Sequence, residues 1–276
     1  MQPAEHFAQL NGVQLHWLEW GEPQNPTVLC LHGSWGTADS FSEFAATASR
    51  KFHVIAPDLR GHGESDWTPG DYAPASYAAD VHALREACAI SRWHVVGLSL
   101  GGLVALAYAT QDAPSISSLM LVDIAPSLNA ETLAGLTATL PYPESFASLD
   151  EALGWASTDG LWPQGPALRR TLEHRLRERP DGRLTWKTDP EFMQPQARAR
   201  WFGGEVDLWR PFAALTVPVR LLRAGNSPLV DDDIVARMQG ANSGFTLQDV
   251  PGADHSIPIS HPDAFNAAAL RFLDSI

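Results

Sequence analysis

Short runs of apolar residues alternate with segments of helical spacing along most of the chain. Thr27–Leu31 is continuously apolar, as in a strand with both faces buried, whereas Val13–Trp20 alternates between apolar and polar positions. Further short strands are predicted at residues 53–56, 94–97, 119–123, 217–223 and 245–250. Residues 76–90 and 103–110, which lie between strands, have the spacing of helices. This alternation predicts an α/β fold with a mostly parallel sheet and helices on both faces.

The regular alternation of predicted strands and helices stops after Pro126, and the next strand is predicted to begin at Val217. Between these points, helices are predicted at residues 130–140, 148–156 and 167–178. Half of the ten tryptophans also lie there: Trp155, Trp162, Trp186, Trp201 and Trp209. After the insertion, helices are predicted at residues 231–239 and 262–273. We therefore expect a core domain in two parts, residues 1–125 and 213–276, interrupted by a helical lid or cap insertion at 126–212.

Composition and charge exclude several classes of function. The formal net charge of −13 argues against nucleic acid or an anionic membrane surface as the main partner. The chain opens without the pattern of a secretion signal and has no apolar stretch of about 18 residues, which predicts a cytoplasmic protein. Cys30 and Cys88 are expected to be buried thiols. Metal-ligand spacings and a complete dinucleotide fingerprint are both missing, so neither a metal nor another cofactor is expected.

A candidate nucleophile lies at residues 97–101, which read Gly-Leu-Ser-Leu-Gly between a predicted strand and a predicted helix. A serine on a sharp strand-to-helix turn needs small neighbours, and glycines stand two residues before and two after Ser99. The amides that follow would lie at a helix N-terminus, where they can stabilise negative charge. The pattern therefore predicts Ser99 as the nucleophile and the Leu100 N–H as an oxyanion donor.

Two further segments accompany this elbow in order along the chain. Residues 32–35 read His-Gly-Ser-Trp after an apolar strand, and residues 57–65 read Pro-Asp-Leu-Arg-Gly-His-Gly-Glu-Ser. Together with the Ser99 elbow they closely resemble the serine α/β-hydrolase superfamily, and in particular its small bacterial carboxylesterases. The resemblance covers nearly the whole chain except the insertion. It implies an α/β-hydrolase fold with an eight-stranded, mostly parallel sheet.

The resemblance also implies roles for residues of the first two segments. Ser34 would supply the second oxyanion N–H from its backbone, and Trp35 would form a wall of the substrate pocket. We expect the insertion to add Trp162 and Trp209 to that pocket. Four polar residues of the segments are expected to be structural rather than catalytic: His32, Asp58, Arg60 and His62.

The general base is predicted to be His255. It follows the last predicted strand and precedes the terminal helix, where the resemblance puts the catalytic histidine of the superfamily. His261, at the start of that helix, is the nearest alternative among the ten histidines of the chain. A serine hydroxyl needs such a base because it is a poor nucleophile at neutral pH.

The acid of the triad departs from the usual pattern of the superfamily. The loop after the next-to-last strand reads Gly-Asn-Ser-Pro at residues 225–228, with Ser227 near the place where a carboxylate is usual. Asp123, which ends the strand after the nucleophile, is the preferred candidate, since the resembling esterases are similar in carrying their acid there. Those esterases also resemble this chain in having a serine on the loop after the next-to-last strand. The resemblance therefore implies that Ser227 hydrogen-bonds to the triad as a fourth member. The alternative acids are Asp231, Asp232 and Asp233, which also fit an exposed helix N-terminus.

The function predicted on these grounds is a cofactor-free serine hydrolase. It would cleave carboxylic esters or thioesters of short to medium acyl chains through an acyl-enzyme on Ser99. A carbon–carbon bond hydrolase and a cofactor-free perhydrolase share the same residues and stay open. A non-catalytic ligand-binding receptor on the same fold is the alternative of another class. The expected partner is a small-molecule ester substrate, without nucleic acid or membrane, and the protein is expected to be a monomer or a small homo-oligomer.

Overall fold

The computed structural model describes residues 2–128, 132, 134, 143–158, 162–163, 165–192, 194, 201 and 206–276. Eight strands form one large sheet: β1 (Ala4–Leu10), β2 (Val13–Trp20), β3 (Thr27–Leu31), β4 (His53–Pro57), β5 (Trp93–Leu98), β6 (Ile116–Val122), β10 (Val219–Ala224) and β11 (Phe245–Val250). Their order is β1-β2-β4-β3-β5-β6-β10-β11. Strand β2 runs antiparallel to β1 and β4, and the other neighbours are parallel. The predicted eight-stranded, mostly parallel sheet is confirmed.

Nine helices of the described chain have the following bounds: α1 (Ser42–Ala48), α2 (Pro74–Ala87), α3 (Leu100–Asp112), α4 (Leu149–Ala156), α5 (Pro166–Arg175), α6 (Trp209–Ala214), α7 (Asp232–Ala241), α8 (Ile257–Ser260) and α9 (Pro262–Leu273). All of these except α4 and α5 cover the two faces of the large sheet. One apolar cluster joins the sheet to α2, α3, α6 and α7, and a second joins it to α1, α8 and α9. Strand β3 is buried at every position, as its continuous apolar run predicts.

The insertion contains a small sheet that the sequence did not predict. Strands β7 (Ser145–Phe146), β8 (Leu176–Glu178) and β9 (Leu184–Trp186) form an antiparallel sheet in the order β7-β9-β8. The helix predicted at 167–178 ends at Arg175, because the turn at Gly182, with φ of 78°, returns the chain so that β9 pairs with β8. The helix predicted at 130–140 lies, apart from residues 132 and 134, outside the described residues.

We call residues 143–186 the cap. Helices α4 and α5 and the small sheet enclose an apolar cluster of their own, which includes Phe146, Trp162 and Trp186. Trp35 from the large domain packs against the same cluster. The tryptophans of this stretch are therefore the core of the cap and also its contact with the large domain. Among the described residues, no helix is both long and apolar enough to cross a membrane.

Candidate active site

The Ser99 elbow joins the end of β5 to the start of α3. Ser99 has φ of 51° and ψ of −118°, a strained conformation for a residue that carries a side chain. A Cβ atom at Gly101 would lie 2.1 Å from the carbonyl oxygen of Leu31, and one at Gly97 would lie 2.6 Å from the backbone of Gly101. Both glycines are thus required by close backbone approach. The predicted strand, elbow and helix are present in this order.

The turn after β3 lies directly against Ser99. Strands β3 and β5 are parallel neighbours, and a Cβ atom at Gly33 would lie 3.2 Å from the Cβ of Ser99. The Gly36 N–H donates to the Gly33 carbonyl at 2.9 Å, which closes the turn that contains Ser34. Leu100 is the first residue of α3, so its amide has no acceptor within the helix. Both predicted oxyanion donors therefore belong to backbone segments that flank Ser99.

Asp123 and His255 are joined by a hydrogen bond. The Nδ1 of His255 lies 2.7 Å from Oδ2 of Asp123, and Asp123 is fully buried. The other carboxylate oxygen, Oδ1, accepts from the Ala224 N–H at 3.0 Å. Strand β6 pairs in parallel with β5 so that Val122 stands opposite Leu98, and Asp123 and Ser99 follow these two residues. Neighbouring strand ends thus bring the predicted nucleophile and acid to the same edge of the sheet.

The loop that carries His255 is held by two residues that the sequence analysis missed. The Asn226 N–H donates to the Ala253 carbonyl at 2.9 Å, and its side-chain amide donates to the Gly252 carbonyl at 2.9 Å. Oδ1 of Asp254 accepts from the Ser260 hydroxyl at 2.7 Å. The loop after β10, where the superfamily pattern has an acid, therefore supports the histidine loop instead. The sequence signal was the Gly-Asn-Ser turn, whose asparagine is a typical side-chain donor to nearby backbone.

The alternative acids have other partners. Asp231 is the N-cap of α7, where its carboxylate accepts from the Ile234 N–H at 2.8 Å. Asp232 lies 2.7 Å from Arg223, and Asp233 is in the first turn of the helix. The cluster therefore has the helix N-terminus role that the sequence left open, while the His255 imidazole is bonded to Asp123.

Ser227 and His261 are also placed by the structure. The Ser227 hydroxyl accepts from the Leu229 N–H at 3.3 Å, and among the described residues it is bonded to neither Asp123 nor His255. The Nδ1 of His261 lies 3.0 Å from the Ser260 hydroxyl, just before α9 begins. Ser227 as a fourth member of the triad stays a prediction.

The loop at residues 57–65 is tied together by buried polar groups. Asp58 accepts from the amides of Ala38 at 2.6 Å and Glu64 at 2.9 Å. Arg60 donates two bonds to Asp80, at 2.6 and 2.7 Å. These contacts are structural ones, of the kind that the sequence analysis expected.

His32 and His62 are fully buried and neutral at pH 7. Burial lowers the pKa of His32 to about 4 and that of His62 to about 3. His32 accepts from the Leu59 N–H at 2.9 Å and lies 2.8 Å from the Gly33 carbonyl, while Nδ1 of His62 lies 3.0 Å from the Arg60 carbonyl. Both rings shape the loops beside Ser99.

Two of the three predicted pocket tryptophans come together. The ring centroids of Trp35 and Trp162 lie 6.4 Å apart, which joins the turn beside Ser99 to the cap. Trp209 contacts other residues: its indole N–H donates to the Ser127 hydroxyl at 3.0 Å, and the guanidinium carbon of Arg237 lies 3.7 Å from its ring centroid. Its place in the pocket stays a prediction.

The described residues hold no group of three or more His, Cys, Asp or Glu side chains arranged to bind a metal ion. Cys30 is a buried free thiol, as expected, whereas Cys88 is a free thiol that is only partly buried. Burial raises the pKa of Cys30 strongly and that of Cys88 to about 11. Neither thiol is therefore activated as a nucleophile at neutral pH.

The fold and the comparisons with known proteins identify an enzyme of the hydrolase class. Residues 28–268 match the model of the alpha/beta hydrolase family, and the chain belongs to that family. The 3-hydroxybutyrate-oligomer hydrolase of Cupriavidus necator is 28% identical over 250 residues, which cover 86% of this chain and 85% of the relative. An esterase of Mycobacterium tuberculosis is 29% identical over 270 residues, which cover 94% and 86%. The crystal structure of E-2-(acetamidomethylene)succinate hydrolase has a TM-score of 0.89 at 25% identity and matches 99% of this chain and 100% of that chain.

Proposed function

We propose that the protein hydrolyses carboxylic esters, including thioesters, through an acyl-enzyme on Ser99. The observation that carries this proposal is the 2.7 Å hydrogen bond from His255 to the buried Asp123, at the sheet edge that also bears the Ser99 elbow. Ester hydrolysis also agrees with the similarity to an esterase and to a 3-hydroxybutyrate-oligomer hydrolase.

Asp123 prepares His255 to act as a base. When Nδ1–H of His255 donates to the carboxylate, the lone pair of the imidazole lies on Nε2. The Ser99 oxygen attacks the acyl carbon and its proton passes to Nε2. The carbonyl π pair moves to oxygen, and the resulting oxyanion accepts from the amides of Leu100 and Ser34. Asp123 stabilises the imidazolium formed in this step.

The tetrahedral intermediate then collapses to the acyl-enzyme. The carbon–oxygen or carbon–sulfur bond breaks, and the leaving alcohol or thiol takes the proton from Nε2 of His255. A water molecule then attacks the acyl carbon as His255 removes its proton, and the same two amides hold the second oxyanion. Collapse releases the carboxylic acid, returns the proton to Ser99 and restores the free enzyme.

Residues 126–212 form a lid over the acyl pocket in this proposal. Contact between Trp35 and Trp162 supports the assignment, because it brings aromatic rings of the insertion onto the turn beside Ser99. Trp209 is proposed to form a further wall of the pocket, and Ser227 to act as a fourth member beside the triad of Ser99, His255 and Asp123. Apolar walls of this kind suit short to medium acyl chains and exclude water. We further propose a cytoplasmic enzyme that acts as a monomer or a small homo-oligomer.

The test is hydrolysis of p-nitrophenyl esters from acetate to palmitate by wild type, Ser99→Ala and Ser227→Ala. We expect wild-type activity on the shorter chains, loss to background in Ser99→Ala, and labelling of Ser99 by an organophosphate in the folded protein. A weaker loss in Ser227→Ala would support its accessory role. Folded wild type without activity on any ester would refute the proposal. Labelling of Ser99 would then favour carbon–carbon hydrolysis or perhydrolysis, and absence of labelling would favour a receptor.

A further inference from the structure

Arg175, the last residue of α5, is a buried cation that has no counterion among the described residues. The residue is 8% exposed, and burial lowers the pKa of its guanidinium to about 10. Within the described part of the chain, its guanidinium has neither an ion pair nor a hydrogen bond. Burial of an unpaired charge is unfavourable, so such an arginine is unusual unless a ligand supplies the missing anion.

Other cations of the same helix are paired. Arg169 lies 3.3 Å from Asp150, His174 lies 3.1 Å from Asp39, and Arg170 forms an ion pair with Glu43. These three side chains are each more than half exposed, where an ion pair contributes little. In the described part of the chain, the exposed cations of the helix are therefore paired and the buried one is not.

The guanidinium of Arg175 lies in the layer between the cap and the turn beside Ser99. Its central carbon is 5.0 Å from the centroid of a Trp162 ring, and Trp162 in turn contacts Trp35 of the turn. Besides burial, the Arg175 charge contributes to the lowered pKa of His32 and of His62. The cation therefore acts electrostatically on the loops that support the nucleophile.

There is room for a ligand group beside this arginine. A cavity of about 110 Å³ lies under α5, lined in part by Thr37, Ser40, Thr171, Arg175, Pro258 and Ile259. The acids at its rim, Asp39 and Glu43, are those already paired with His174 and Arg170. Since cavities of about 150 Å³ hold a benzene ring, this volume suits a group of a few heavy atoms.

We propose that Arg175 binds a free carboxylate of the substrate, so that the preferred substrates are esters that also carry a carboxylate group. A guanidinium presents two parallel N–H donors that match the two oxygens of a carboxylate. The ligand thus supplies the counterion that the described residues do not provide at this position. The inference rests on the proposed ester hydrolysis, and it assigns the insertion a charged recognition element in addition to its apolar wall.

The test compares carboxylate esters with neutral esters of the same shape. Monomethyl glutarate, with the carboxylate on the acyl side, is paired with methyl 5-methylhexanoate. Butyryloxyacetate, with the carboxylate on the alcohol side, is paired with isobutyl butyrate. We expect wild type to prefer the carboxylate ester of one pair by about tenfold or more in kcat/KM, because bonds between charged groups contribute on this scale. The preferred pair identifies the side on which Arg175 binds.

Variants of Arg175 then test the contribution of its guanidinium to this preference. Arg175→Met keeps an apolar stem over Trp162, and we expect it to lower kcat/KM for the preferred carboxylate ester about tenfold to hundredfold while the neutral ester changes less than about threefold. Arg175→Lys keeps the positive charge but loses the two parallel N–H donors, so it should retain part of the preference for the carboxylate ester. This variant replaces Arg175→Met in the test if the Met variant does not fold. Arg169→Met, on the exposed side of α5, is the matched control and should leave the preference unchanged.

A binding measurement separates this inference from the proposed function. Calorimetry with Ser99→Ala and monomethyl glutarate or butyryloxyacetate should detect binding that is lost in the Ser99→Ala, Arg175→Met double variant. Binding without turnover in wild type would refute ester hydrolysis and leave carboxylate recognition standing. Hydrolysis of both members of each pair at equal rates, or equal losses for both in Arg175→Met, would overturn the inference and leave the esterase intact.

Discussion

Replacement of Asp123 by asparagine changes one atom of a fully buried side chain and should abolish the base function of His255. Oδ1 of Asp123 already accepts from the Ala224 N–H at 3.0 Å, so an asparagine keeps its oxygen there. Its amide nitrogen then occupies the place of Oδ2, 2.7 Å from Nδ1 of His255. Because an amide N–H donates, Nδ1 must accept, and the imidazole proton moves to Nε2. A protonated Nε2 cannot remove the proton of Ser99.

The size of the effect follows from the tautomer. An amide in this position costs about 10⁴-fold in kcat, which corresponds to about 5 kcal/mol of transition-state free energy at about 1.36 kcal/mol per tenfold. The folded state should lose only about 1 kcal/mol, the net contribution of one hydrogen bond, because shape and volume are conserved. In this single variant, the loss of transition-state stabilisation should therefore exceed the loss in the free energy of unfolding by several kcal/mol.

The assay is p-nitrophenyl butyrate hydrolysis under saturating substrate, with thermal unfolding of the same preparation. Asp231→Asn is the matched control, since asparagine caps a helix about as well as aspartate and Asp231 caps α7. The control should keep wild-type kcat. A folded Asp123→Asn variant with kcat within tenfold of wild type, or an equal loss in the control, would refute this account of the acid.

Three further predictions concern close packing and pH. Gly101→Ala should lower the free energy of unfolding by about 3 kcal/mol in urea titrations, since its Cβ would lie 2.1 Å from the carbonyl oxygen of Leu31; an unchanged midpoint would contradict this close approach. The bond to Asp39 raises the pKa of His174 above 6.5, so this pair stabilises the fold below about pH 6.5 and its contribution is lost as pH rises through the folded-state pKa. Wild type should accordingly have a higher Tm than His174→Gln near pH 5.5 but not near pH 9, and a gap that widens with pH would be inconsistent. Burial lowers the pKa of the His62 imidazole to about 3, so between about pH 6 and 4 this ring binds a proton only in the unfolded chain. The free energy of unfolding should therefore fall by about 1.4 kcal/mol for each unit by which the pH is lowered in this range. In urea titrations over this range His62→Gln should show a shallower pH slope than wild type, and equal slopes would count against the buried neutral ring.

The cap shows where local patterns were insufficient. Residues 176–178 continue the helical spacing of α5, yet they form β8 because β9 pairs with them after the turn at Gly182. Strand β1 was missed because it lies at the sheet edge, where no position is fully buried and the apolar contrast is weak. At residues 176–178, pairing with a partner segment outweighed the helical periodicity of the segment itself.

The sequence by itself determined the class of fold and the place of the elbow that carries the predicted nucleophile. Buried parallel strands are continuous apolar runs, and a strained elbow needs glycines at fixed offsets, so both leave local signatures at Thr27–Leu31 and around Ser99. The family match over residues 28–268 confirms the fold, while the catalytic roles stay predictions for the experiments above.

Only the tertiary structure decided which acid meets His255, because Asp123 lies 132 positions before it and a hydrogen bond over that separation leaves no pattern in the chain. The unpaired charge of Arg175 is equally invisible in sequence. Whether a cation is buried and whether a carboxylate reaches it depend on how the cap packs on the sheet, since burial and pairing are properties of the assembled layers rather than of neighbours along the chain.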